Sequence, residues 1–109
     1  MIAVIVSDSP IAIDIEEIKK RDISLLSRYP KSYQEILDPE GLTDIWGQFY
    51  RLWTLEESLY KLQNTTMEYP DFSLVAYQRE THSMMSQKNN YMYKSYWIEQ
   101  DEHIVCVTQ

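Results

Sequence analysis

The sequence predicts an α+β fold in which a mainly antiparallel sheet packs on one long helix, with short helices beside it. Three observations carry this. Ile11, Ile13 and Ile15 alternate with Ala12, Asp14 and Glu16, the period-two signature of a strand with one apolar face. Ile45, Trp46, Phe49, Leu52, Trp53, Leu59, Tyr60 and Leu62 recur at the helical period. Beyond them the chain returns to β-rich runs, giving the order strand, short helices, long helix, strands.

The first run, Met1-Ile2-Ala3-Val4-Ile5-Val6, is apolar and closed by the turn-forming Ser7-Asp8-Ser9-Pro10, which predicts a hairpin with residues 11–16. Residues 23–29 and 32–37 read as two short helices separated by Pro30. Asp22 and Lys31-Ser32 start them; Asp38-Pro39 and Gly41 stop them. The long helix begins with Thr43 or Asp44 as N-cap and continues to about Gln63, where Asn64-Thr65-Thr66 ends it. Residues 72–77 read as a strand. Residues 78–90 read mostly as loop, with a short strand near Ser83-Met84-Met85. Residues 91–98 and 103–107 form a hairpin joined near Gln100-Asp101-Glu102.

With 44% hydrophobic residues and only two glycines, the 109 residues read as a single globular domain rather than a disordered tail. No apolar run approaches the roughly 20 residues that span a bilayer. The first run is interrupted by Asp8 and Pro10 and has no basic residues before it, unlike a signal peptide, so the expected location is cytoplasmic. Cys106, between Val105 and Val107, has no second cysteine to pair with and reads as a small buried thiol. The net charge of -7, with Lys19-Lys20-Arg21 as the sole basic cluster, excludes a nucleic-acid surface. An anionic cofactor is still compatible with it, because a divalent metal and a few lysines can neutralise phosphates locally.

Asp14 and Glu16 share one strand face, roughly 6–7 Å apart by strand rise. Glu57 and Lys61 are one helical turn apart and face the same side. If the helix crosses the strand, three carboxylates surround a hard cation such as magnesium and Lys61 reaches a phosphate oxygen. The same residues also fit a wet outer strand face and a solvent-exposed helix ion pair, so spacing alone leaves both readings open. His82 in a polar loop, His103 at a strand start, the nine tyrosines and Met84-Met85 read as surface or packing residues.

Taken together, Ala12-Ile13-Asp14-Ile15-Glu16 and Trp53-Thr54-Leu55-Glu56-Glu57-Ser58-Leu59-Tyr60-Lys61 resemble the two signature segments of the 4′-phosphopantetheinyl transferases. With Phe49-Tyr50 and Leu52-Trp53 preceding, the chain is similar to the second half of the larger, surfactin-synthetase-activating type more than to the small holo-acyl-carrier-protein synthases. The resemblance implies an enzyme that transfers 4′-phosphopantetheine from coenzyme A to a serine of an apo acyl or peptidyl carrier protein. It implies magnesium ligands at Asp14, Glu16 and Glu57, with Glu57 also deprotonating the attacking serine. Lys61 is then the residue that contacts coenzyme A phosphate and protonates the departing 3′,5′-ADP.

The chain departs from the family pattern at several places. Glu56 stands where the family has a lysine, Ala12 where it has a glycine, and Asn64-Thr65-Thr66-Met67 where it has a glycine-rich loop. The basic first half of the larger type and its Ser-His segment have no counterpart in this sequence. The resemblance therefore implies a homo-oligomer, dimer or trimer, or a separate first-half partner. It also admits a degenerate member that binds carrier protein or serves as a partner subunit without transfer.

Overall fold

The computed structural model describes residues 10–38, 44–64 and 71–109. The expected strand over residues 1–6 and its hairpin, the stops at Pro39 and Gly41, the alternative cap Thr43 and the residues Thr65, Thr66 and Met67 lie outside them. The α+β expectation holds. The elements in order are β1 (Ala12–Glu17), a 3-10 helix (Ile23–Arg28), α1 (Lys31–Leu37), α2 (Ile45–Gln63), β2 (Ser73–Gln78), β3 (Ser83–Lys88), β4 (Tyr91–Gln100) and β5 (His103–Thr108). The strands form one antiparallel sheet in the order β1-β5-β4-β3-β2.

Helix α2 is capped as its sequence dictates. The Asp44 side chain accepts from the Trp46 amide at 2.9 Å, satisfying a donor that has no partner within the helix. Asn64 closes the other end in the left-handed region at φ 55°, a conformation asparagine tolerates. Leu52, Leu55 and Leu59 are fully buried and form the seam of the core with Met84, Ile104 and Cys106. The helix is enclosed on nearly all sides: Tyr50, Arg51, Thr54, Glu56 and Ser58 are also buried. Ser58 donates to the Leu55 carbonyl and shares a 2.6 Å hydrogen bond with Thr108, whose hydroxyl also meets Ser95 at 2.7 Å. Small hydroxyl side chains at the crossing thus satisfy one another and let helix and sheet approach closely. Cys106 is buried, as expected, and burial pushes its thiol up to about 12, which keeps it protonated.

One expectation needs correction. Residues 78–90 are not mostly loop: β3 runs through their middle, paired with β2 on one side and β4 on the other. Its buried residues Ser83, Met84, Ser86 and Lys88 are too polar to announce a strand, yet β4 pairs along its whole length and β2 pairs with one bulge between Leu74 and Ala76. The hairpin turns place Asn89 and Asn90 at φ 52° and 67°, and Asp101 and Glu102 at φ 53° and 60°, the paired left-handed geometry of two-residue turns. The fold also settles the faces of β1. The alternation predicts an apolar face of Ile11, Ile13 and Ile15, with Asp14 and Glu16 pointing the other way, either into water or toward the helix. In the fold Ala12 and Asp14 are buried and Ile11, Ile13 and Ile15 are half-buried. The face carrying Asp14 is the one covered by α2, because a cation on the helix meets the carboxylate there.

Tertiary ion pairs fasten the sheet to α2. Arg51, largely buried, donates to Glu99 at 2.9 Å, and its carbonyl accepts from the Trp97 indole at 3.0 Å. His82, with its Nε2 3.8 Å away, and Arg51 hold the Glu99 carboxyl down at about 2. A carboxyl depressed in the folded state contributes stability that is present above its unfolded value and lost as pH falls through its folded one. Acid melts between pH 5 and 2 should therefore lose about 1 kcal/mol through Glu99, discounted because the group is partly exposed, and Glu99→Gln should flatten that limb.

Candidate metal and phosphate site

Strand β1 projects Asp14 and Glu16 toward α2, and α2 projects Glu57 and Lys61 toward β1. One oxygen from each of Asp14, Glu16 and Glu57 lies within 4.8 Å of the others. All four residues expected from the sequence to share a site are thus in one place, spanning the strand–helix junction. Asp14 is 4% exposed, Glu16 and Glu57 are half-buried, and the Lys61 side chain is 52% exposed. The cluster therefore has a closed floor and an open rim.

Charge is unevenly settled in it. Lys61 Nζ donates to Asp14 Oδ1 at 2.9 Å and to the Ile13 carbonyl at 3.1 Å. The other Asp14 oxygen, Oδ2, is buried with no hydrogen-bond donor among the described residues. Glu57 is pushed up to about 7, first by burial and then by the neighbouring carboxyls of Asp14 and Glu16; Lys61 opposes the shift.

These residues fit a hard divalent cation. An orphaned buried carboxylate oxygen is costly in a fold and is relieved by a cation. Magnesium–oxygen distances of about 2.1 Å place ligands on one ion about 3–4 Å apart, close to the spread observed, so a small contraction suffices. An all-oxygen donor set suits magnesium, manganese or calcium rather than softer metals. Two or three protein carboxylates also leave coordination positions for water and phosphate oxygens.

Glu56, the position where the family has lysine, faces elsewhere. It is fully buried, and Arg28 grips both its oxygens through Nε and a terminal nitrogen, each at 2.9 Å. Tyr29 donates to the same carboxylate at 2.7 Å, and the Arg28 guanidinium lies 5.3 Å from the Trp53 ring centre. Its negative charge is thus met inside the fold. Sequence reasoning missed this clasp, since nothing near Arg28-Tyr29 marks a partner 28 residues away. It also missed Lys88, which is buried, donates to both Asp71 oxygens at 2.7 and 2.8 Å, and lies over the Tyr60 ring. Tyr60 donates to Asp71 as well, so the start of β2 is tied to β3 and α2. His82 sits in the β2–β3 turn and His103 opens β5.

Comparison with known proteins agrees with this geometry. The chain is 34% identical over 67 residues to the 4'-phosphopantetheinyl transferase psf-1 of Bacillus pumilus, an alignment covering 59% of this chain and 28% of that relative. The chain thus aligns with well under half the length of the curated relative it matches. A family model described as the 4'-phosphopantetheinyl transferase superfamily matches residues 10–108, which include both site-bearing segments and every strand described above. On that match, the chain belongs to the 4′-phosphopantetheinyl transferase superfamily.

Proposed function

We propose that this chain transfers 4′-phosphopantetheine from coenzyme A to a serine hydroxyl of an apo acyl or peptidyl carrier protein, acting as one transferase domain over its 109 residues. The observation that carries the reading is the convergence of Asp14, Glu16, Glu57 and Lys61 at the β1–α2 junction, in a chain of this superfamily. Asp14, Glu16 and Glu57 would hold magnesium, which when bound supplies positive charge to the diphosphate. Glu57 would accept the serine proton as the serine oxygen bonds to the β-phosphorus and the bond to 3′,5′-ADP breaks. Lys61 offers an ammonium on a flexible, half-exposed stem to the phosphate oxygens and to the departing group. The partners are then coenzyme A and the carrier protein, in the cytoplasm.

The segment leaving β1 suits an acidic, partly apolar carrier. Lys19-Lys20-Arg21, which follows Glu16 in the chain, is exposed, and Ile23 is 78% exposed. Attraction there would be local, since the chain as a whole is acidic. The outer face of the sheet carries Ile98 and Met92 at 56% and 49% exposure, a surface for association with a second copy or with a partner supplying nucleotide-binding residues.

Incubation with coenzyme A, magnesium and a panel of apo carrier proteins, followed by intact-mass measurement, tests the reading. One phosphopantetheine gained on a carrier, and lost on chelating the metal, is the expected result. A second reading is favoured by Glu56, which stands where the family pattern has a lysine. In it the chain is a carrier-binding or partner subunit without transferase activity of its own; carrier binding without mass gain would select it.

A further inference from the structure

Lys61 occupies a seat that the proposed reaction needs for something else. Its ammonium is bound to Asp14 Oδ1 and the Ile13 carbonyl, while Asp14 Oδ2, 4% exposed as a residue, is left without a donor. Asp14 is the most buried of the three carboxylates and the floor of the cluster. A divalent cation held by Asp14, Glu16 and Glu57 would sit within a few ångströms of that ammonium, and two cations of total charge three repel strongly in a half-buried site. One of them has to yield. The lysine is the one able to do so: four methylenes carry it, its side chain is 52% exposed, and its backbone lies one turn from the end of α2.

We propose that Lys61 is a displaceable counter-ion, neutralising Asp14 in the metal-free chain and ceding that carboxylate to the incoming cation, which frees the ammonium toward phosphate. This rests on the metal-dependent reading of the site above and deepens it. Two consequences separate it from a lysine that merely contacts substrate. Lys61 opposes metal binding when no phosphate ligand is present. Metal binding and phosphate binding are coupled through the same side chain, each favouring the state the other needs.

Trace labelling of amines in the wild-type chain tests the exchange without any substitution. The rate of acetylation at Lys61, read by peptide mass spectrometry with Lys19 and Lys20 as internal standards, is expected to rise severalfold when magnesium replaces chelator. An unchanged or lower rate overturns the proposal. Calorimetric titration of magnesium alone gives an independent answer: Lys61→Met should bind it about tenfold more tightly than wild type, and Lys61→Arg about equally to wild type. Equal or weaker binding by a folded Lys61→Met chain overturns it too. If wild type takes up no magnesium at all, the metal reading fails and the exchange with it. If magnesium binds while Lys61 labelling stays flat, the exchange alone fails.

Discussion

Replacing Arg28 by alanine is expected to destabilise the fold by about 3–5 kcal/mol, a large fraction of the 5–15 kcal/mol typical of a domain this size. The reason is the asymmetry of a buried ion pair. Glu56 is 0% exposed, and Arg28 supplies two of its three hydrogen bonds among the described residues. Remove the guanidinium and, among the described residues, the Tyr29 hydroxyl alone remains to the carboxylate, a buried charge poorly compensated. The lost cation also lies over the Trp53 and Tyr29 rings, which forfeits packing as well as charge. Thermal and urea unfolding of Arg28→Ala measure the loss. A control isolates the mechanism: Arg28→Met with Glu56→Leu removes both charges and should recover part of the stability, since apolar residues replace the buried pair while the Tyr29 hydroxyl loses its acceptor. If the double substitution is as unstable as Arg28→Ala, the clasp matters for its shape rather than its charges.

The clasp also shows which parts of the molecule the sequence could and could not announce. Helix α2 was legible because its caps, Asp44 and Asn64, are local and its leucines recur at the helical period. Strand β1 was legible from alternation, but the identity of its buried face was not. A carboxylate is normally assigned to water, and what overrides that rule is an ammonium 47 residues away. Strand β3 escaped notice for a similar reason: Ser86 and Lys88 are buried only because β2, β4 and the Asp71 carboxylate enclose them. Of the site, the four chemistry-bearing residues could be read from motif and spacing. Where the Lys61 ammonium rests, which way Glu56 turns and how strongly Glu57 holds its proton depend on contacts between distant segments, and sequence spacing carries no record of them.

Glu57→Gln is expected to leave the fold intact, weaken magnesium binding and lower phosphopantetheine transfer by about 10²–10⁴-fold, the range for losing a positioned general base. Its signature separates this loss from damage to the fold. In the metal-free chain Glu57 is pushed up to about 7, so the folded state holds a proton that the unfolded state has released. The sign follows directly. A carboxyl raised in the folded state contributes stability that is complete below its unfolded value near 4.5 and is lost as pH rises through about 7. With chelator present, wild-type melting temperature should therefore decline between pH 5 and 8. Glutamine has no proton to lose, so Glu57→Gln should lack that decline and be the more stable chain at pH 8, by about 1 kcal/mol after allowance for partial exposure. Magnesium should reverse the order, raising the wild-type melting temperature at pH 8 more than that of Glu57→Gln, since binding there meets a carboxylate already ionised. A variant that loses transfer while gaining metal-free stability marks Glu57 as a residue held in a strained state of charge for the reaction. A variant that loses both marks it as part of the packing at the β1–α2 junction, and the base would have to be sought elsewhere.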